Sequence, residues 1–228
     1  MRLGLITYDA RHLKTEQIAV GLRLRGYSDV RFYALPFVER PARNIVFGHR
    51  PDMATGAHSR DIAASLDAPY RSVASPAEIP ADDADVFLIL GAGLPPAEVL
   101  KATAGRVVNS HPGIIPLVRG LDAFKWAILD GMPIGNSLHF IDEEADAGEL
   151  LVVRETPVFP TDTLADFARR HYECEIDMMI DFERYLNGDP SAREPHDERP
   201  ARMRMPADKQ ALLLEAFETY KTRFAVGG

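Results

Sequence analysis

Short apolar runs alternate along this chain with polar stretches of helical spacing. Arg2 to Asp9 (RLGLITYD) stays mostly apolar until its polar end, the pattern of a strand buried on both faces. Lys14 to Arg25 then carries Ile18, Leu22 and Arg25 at helical spacing, with Gly26 placed where a helix stops. Asp29 to Ala34 (DVRFYA) alternates like a second strand. Strand, helix, strand in that order predicts a βαβ unit and a parallel sheet. Ligands of such sheets sit beyond the carboxyl ends of the strands. The loop from Tyr8 to Lys14 is therefore a candidate substrate wall, with Tyr8 and Arg11 as candidate substrate-binding residues. For Arg11, His12 and Lys14 two readings stand open: contacts to an anionic substrate, or a solvated helix start.

Phe37 to His58 shows no clear period and reads as a long loop; its histidines have no spacing that matches a structural metal site. Ser59 to Leu66 reads as a short helix and Pro69 to Val73 as an extended piece. Asp85 to Leu90 (DVFLIL) is the clearest buried strand, running into Gly91-Ala92-Gly93-Leu94 and a short helix over Ala97 to Ala102. After the stretch Arg106 to Leu151, Glu149 to Phe159 predicts another strand. Thr161-Asp162-Thr163 offers an N-cap for a long helix, whose stripe Leu164, Phe167, His171, Cys174, Met178, Phe182 packs it on the sheet. His171 and Cys174 lie in that stripe and read as packed core residues. From Asp189 to Pro206 recurrent prolines forbid a regular helix and arginines accumulate, giving a linker or ordered flap before a last amphipathic helix over Asp208 to Phe224. The expected division is a catalytic domain over 1–188 and a C-terminal extension over 189–228.

At 228 residues the chain holds one sizeable core. A formal charge of -8 argues against sequence-independent nucleic-acid binding, which needs clustered Lys and Arg. The single cysteine, Cys174, excludes an internal disulfide and a thiolate zinc cage and fits a reducing cytoplasm. Neither a signal peptide nor a run long enough to span a bilayer is expected.

The chemistry concentrates between Arg106 and Leu151. Asn109 and His111 are two apart at a strand end, where alternation points both side chains the same way. Asp146, in the loop after Ser137 to Ile141, closes on them if the two strands are sheet neighbours. An amide donor, an imidazole and a carboxylate sharing a pocket suit acyl transfer. His139 is open between a supporting role and plain strand packing.

Asn109-Ser110-His111-Pro112, Ile115-Pro116, Arg119-Gly120, Ser137-Leu138-His139-Phe140 and Asp146-Ala147-Gly148 together resemble the signature of folate-dependent formyltransferases. The resemblance covers roughly Asp85 to Val158. It implies an α/β fold, a Rossmann-like mostly parallel sheet flanked by helices with a short C-terminal extension. It implies Asn109, His111 and Asp146 as catalytic residues, and 10-formyltetrahydrofolate as formyl donor with no metal, although Asp142, Glu143, Glu144, Asp146 and Glu149 form an acidic group. The folate pocket would be lined by Leu90, Ala92, Gly93 and Leu94 on one side and by Ile141, Asp142, Glu143 and Glu144 on the other. Arg119, with Trp126, looks more like the sugar N-formyltransferases and joins Tyr8 and Arg11 as substrate-binding. Asp9-Ala10-Arg11-His12 stands where the glycinamide ribonucleotide enzymes carry a glycine-rich loop, which sets that acceptor back. The tail is shorter than the additional domain of methionyl-tRNA formyltransferases, which sets a tRNA back. The expected acceptor is a small, anionic primary amine, foremost a nucleotide-linked amino sugar. Alternatives are a formyltetrahydrofolate hydrolase, a glycinamide ribonucleotide-type enzyme and a non-catalytic folate-binding protein. A homodimer through the last helix is possible on the same reading.

Overall fold

The computed structural model describes residues 1–39, 44–91, 100, 103, 106–141, 148–186 and 200–227. Its centre is a seven-stranded sheet in the order β3-β2-β1-β4-β5-β6-β7. The strands are β1 (Leu3–Tyr8), β2 (Val30–Leu35), β3 (Tyr70–Ser72), β4 (Val86–Ile89), β5 (Val107–His111), β6 (Gly135–Phe140) and β7 (Leu150–Glu155). The first five pair in parallel, and β6 and β7 are added antiparallel. The chain leaves β1 toward β2 on one side and returns to β4 on the other. The crevice of such a reversal opens beyond the ends of β1 and β4, at Tyr8 and Leu90.

Alternation along the strands sorts side chains into two cores. Leu3, Leu5, Leu88, Leu90, Val108 and Leu138 join one cluster with α1 (Leu13–Leu24), α2 (Ser59–Ser65) and α4 (Leu164–Ile180). Ile6, Phe87, Ile89, Val107 and Ile141 face the other way. The long helix starts as its sequence requires: Thr163 caps Asp166 N–H and the Asp166 carboxylate returns to the Thr163 N–H.

A third cluster joins α3 (Ala123–Leu129), α4 and α6 (Leu213–Phe224), which follows the short α5 (Ala207–Gln210), through Phe124, Phe167, Phe217 and Tyr220. Met205, Leu213, Phe217 and Tyr220 thus share a core with α3 and α4. Gly120 makes a bridge with Arg202, and its φ of 89° together with a virtual Cβ only 2.3 Å from the Arg202 carbonyl leaves room for glycine alone. Leu212 and Leu214 remain exposed, whereas Phe217 and Tyr220 fold back on the core. No helix among the described residues is long and apolar enough to cross a membrane.

Candidate active site

β5 and β6 are neighbours, as closing an acyl-transfer site requires, and their register sets Asn109 opposite His139 and His111 opposite Ser137. Directly paired residues share a face. The face carrying Asn109 and His139 also carries Val107, in the cluster of Ile6 and Ile141. Asn109 Nδ2 lies 3.4 Å from His139 Nε2, while His139 Nδ1 lies 3.0 Å from the Phe140 carbonyl. A carbonyl only accepts, so Nδ1 carries the proton and, in the neutral ring, Nε2 accepts from the Asn109 amide. His139 thereby fixes which end of Asn109 is the donor, and the second N–H of that amide points elsewhere.

His111 is buried, and its Nε2 donates to the Val118 carbonyl at 2.8 Å. The turn between them is held by Ser137, whose hydroxyl donates to the Gly113 carbonyl (2.8 Å) and accepts from the Ile115 N–H (2.9 Å). A Cβ on Gly113 would stand 2.5 Å from the Val118 carbonyl and 2.7 Å from His111 Nε2. Any side chain there displaces the imidazole. The Ile115-Pro116 bond in this turn is cis.

The other expected residues fall as follows. Tyr8 ends β1, half-buried, edge-on to Phe37 and His12. Arg11 is exposed and its Nε donates to the Ala54 carbonyl at 3.0 Å, tying the first loop to the 52–58 loop. Arg119 is half-buried beside Val118, and its carbonyl accepts from the Arg202 N–H at 2.9 Å. Leu90 and Ile141 are both buried but in different cores, on opposite faces of the sheet. Ala92, Gly93, Leu94, Asp142, Glu143, Glu144 and Asp146 lie outside the described residues. Among the described residues no group of His, Cys, Asp and Glu could hold a metal ion.

Lys14 corrects the reading of the first loop. It faces neither substrate nor solvent: its Nζ meets Glu175 Oε1 at 2.6 Å in the interior, and Arg50 meets Oε2 at 2.6 Å. Burial alone would raise the Glu175 carboxyl, but Arg50 and Lys14 outweigh it and hold it down at about 2. Burial, against the pull of Glu175, also pushes the Lys14 ammonium below its ordinary range. The carboxylate between two cations stays ionised. His12, at the start of α1, accepts from the Thr15 N–H at Nδ1. Its ring fills the space a side chain would need on Gly91, with a virtual Cβ 2.6 Å away. Burial, then Lys14 and Arg50, push His12 down to about 4, so it is a neutral ring at the crevice.

Sequence reasoning missed two participants, Glu175 and Gln210, and read His49 as a surface loop residue. Glu175 lay unnoticed in a helix stripe, 161 positions from Lys14. His49 stacks flat on Phe124, with centroids 5.7 Å apart and planes at 5°. Gln210 is buried and takes Val46 N–H, Phe47 N–H and Lys125 Nζ on one oxygen. The only sequence signal for Glu175 and Gln210 is a polar residue at a position of the apolar stripe or next to it.

Residues 76–182 match the family model described as formyl transferase. The phosphoribosylglycinamide formyltransferase of Haemophilus influenzae is 34% identical over 73 residues, 32% of this chain and 34% of that protein. The dTDP-4-amino-4,6-dideoxyglucose formyltransferase of Mycobacterium bovis is 30% identical over 94 residues, 41% of this chain and 40% of that protein. The chain thus spans well under half the length of these curated relatives. A 4-N formyltransferase structure from Francisella tularensis superposes with a TM-score of 0.60 at 16% identity, covering 94% of this chain and 87% of that one, a likeness of fold. The matched segment contains β5, the turn after it, β6, β7 and α4, so the similarity to the formyl transferase family falls on the elements that build the candidate site.

Proposed function

We propose that the protein transfers a formyl group from 10-formyltetrahydrofolate to the primary amine of a small anionic substrate, foremost a nucleotide-linked amino sugar. The observation that carries this is the pairing at the end of β5: an amide oriented by His139 beside an imidazole whose Nε2 is committed to a backbone carbonyl. Acyl transfer to an amine needs a donor for the oxygen that gains charge and a group that moves a proton. Asn109 supplies the first through its second N–H; removing one such donor typically costs about 3 kcal/mol of barrier. His111 supplies the second. With Nε2 donating to Val118, Nδ1 is the nitrogen that takes up and returns the proton. Asp146 is assigned the orienting carboxylate.

The formyl donor is assigned to the ends of β4 and β6, an assignment supported by the Leu90 N–H pairing with the Ile6 carbonyl and the Ile141 N–H with the Val107 carbonyl. These pairs anchor the roots of the two loops assigned to the folate; when bound, the folate supplies the formyl group and a nitrogen leaving group. The amino-sugar acceptor is supported by the M. bovis relative, whose match is longer than that of the phosphoribosylglycinamide relative, and by the absence of glycines from the Asp9 to His12 loop.

The test is tetrahydrofolate release from 10-formyltetrahydrofolate, with and without a panel of nucleotide-linked amino sugars, with products identified by mass spectrometry. Release that depends on one amino sugar, which gains a formyl group, is the expected result. Release without any amine would replace the transferase with a hydrolase.

A further inference from the structure

Arg202 lies outside the segment 76–182 that resembles known proteins, yet its main chain returns to the signature turn. Its N–H donates to the Arg119 carbonyl at 2.9 Å, and its carbonyl accepts from the Leu121 N–H at 2.8 Å. We infer that Arg202 is a positioning residue for His111: it seats the segment that holds the Val118 carbonyl in place, and so keeps the His111 proton on Nε2. The part His111 plays in turnover rests on the proposed function; the placement of its proton does not.

Successive peptide groups from Val118 to Leu121 are each anchored. The Val118 N–H donates to the Ile114 carbonyl at 2.9 Å, the Val118 carbonyl takes His111 Nε2 at 2.8 Å, and the next two peptide groups pair with Arg202. A carbonyl selects the ring nitrogen that bears the proton only while it stays aimed at that nitrogen, because a hydrogen bond weakens steeply as its angle closes. Ile114 fixes the chain on one side of the Val118 carbonyl and Arg202 fixes it on the other. Without Arg202 the acceptor of His111 keeps one anchor of two.

The Arg202 side chain shows how the second anchor is itself held. Its guanidinium lies 4.5 Å from the Trp126 ring centroid, and its Nη2 meets Asp130 Oδ2 at 2.5 Å. An exposed ion pair alone contributes little, but an indole face and a carboxylate together leave the guanidinium one place to sit. The neighbouring main chain follows α3 as well: Trp126 Nε1 donates to the Met203 carbonyl at 2.8 Å, and Asp122 takes the Met205 N–H at 3.0 Å. Residues 202–205 are thus a strap fastened along one helix, with its first residue against the turn. A Cβ on Gly120 would stand 2.3 Å from the Arg202 carbonyl oxygen and 2.6 Å from its nitrogen, so the two main chains meet with no side chain between them.

The experiment is heteronuclear NMR of the imidazole nitrogens in the full chain at neutral pH, with the His111 signals assigned from His111→Asn, for the parent, Arg202→Ala and Gly120→Ala. Formyl-transfer kcat and KM are measured alongside. The Arg202 side chain is 44% exposed, so its variant keeps the test valid should Gly120→Ala fail to fold. Arg223→Ala, which loses a hydrogen bond to the Gly131 carbonyl just past α3, controls for general loosening. The expected result is His111 protonated on Nε2 in the parent and in Arg223→Ala, and a mixture of Nδ1 and Nε2 forms in Arg202→Ala, with kcat roughly tenfold lower at unchanged KM. A parent ring protonated on Nδ1 alone, or a folded Arg202→Ala protein that keeps the parent tautomer, would overturn the inference. An equal change in Arg223→Ala would also overturn it, reducing Arg202 to a residue of stability. A tautomer shift in Arg202→Ala, in a protein that transfers no formyl group, would uphold the placement of the proton while removing the proposed function.

Discussion

The signature turn after β5 and the charged cluster behind α1 hold their polar groups by opposite means. In the turn every described bond is neutral and most end on backbone: His111 on Val118, Ser137 on Gly113 and Ile115. In the cluster a buried carboxylate is clamped by two cations, with His12 and His171 held neutral nearby. Neutral hydrogen bonds contribute about 1 kcal/mol each and set position. Buried charges gain far more from each other, but only against a large desolvation cost, and removing one partner exposes that cost. The turn should therefore govern rate, and the cluster stability.

The largest effect expected is on rate. His111→Ala should lower formyl-dependent turnover about 10²–10⁴-fold, the range for losing a general acid–base group, while the urea midpoint moves little. Comparable losses in both would merge the two regions into one. Next, Glu175→Ala should cost about 3–5 kcal/mol in urea unfolding by leaving Lys14 and Arg50 without their carboxylate. A cost below about 1 kcal/mol would show that the cluster is solvated after all.

The pH dependence follows from the same groups. Burial is the largest cause that holds His12 and His171 at about 4 rather than 6.5, so the unfolded chain takes up their protons first. Their contribution is complete above pH 6.5 and is lost as pH falls toward 4. Glu175, held at about 2 against 4.5, adds a contribution complete above 4.5 and lost as pH falls through 2. Unfolding free energy should drop in two stages on acidification. The upper stage should amount to about 1–3 kcal/mol per histidine and shrink in His171→Gln. A flat profile between 7 and 4.5 would contradict it. The smallest effect is Gln210→Ala, about 1–2 kcal/mol, because it strips the acceptor from two loop amides and Lys125.

The sheet was legible because buried parallel strands are written as apolar runs, as for Leu3 to Tyr8 and Val86 to Ile89, and strand, helix, strand in sequence implies parallel pairing. The cap of α4 at Thr163 was legible for the same local reason. Asn109 and His111 were placed by alternation alone. Lys14 was misread because local pattern shows only a charge near a helix start, while its partner sits in another helix. His139's role depended on register, which sequence spacing leaves undetermined. The arginines and prolines before the last helix left linker and ordered flap open, because they say nothing of the Gly120 to Arg202 bridge that docks residue 202.

Gln210 also sets an order of events during synthesis. The 46–47 loop leaves the ribosome 164 residues ahead of the side chain that accepts its amide protons. At about 5–20 residues per second that is a wait on the order of 10–30 s. During it the sheet can form, but the Val46 and Phe47 amides have no Gln210 oxygen to meet. A nascent chain stalled before residue 210 should thus display a folded sheet with an unpinned 44–50 loop, detectable as protease sensitivity of that loop.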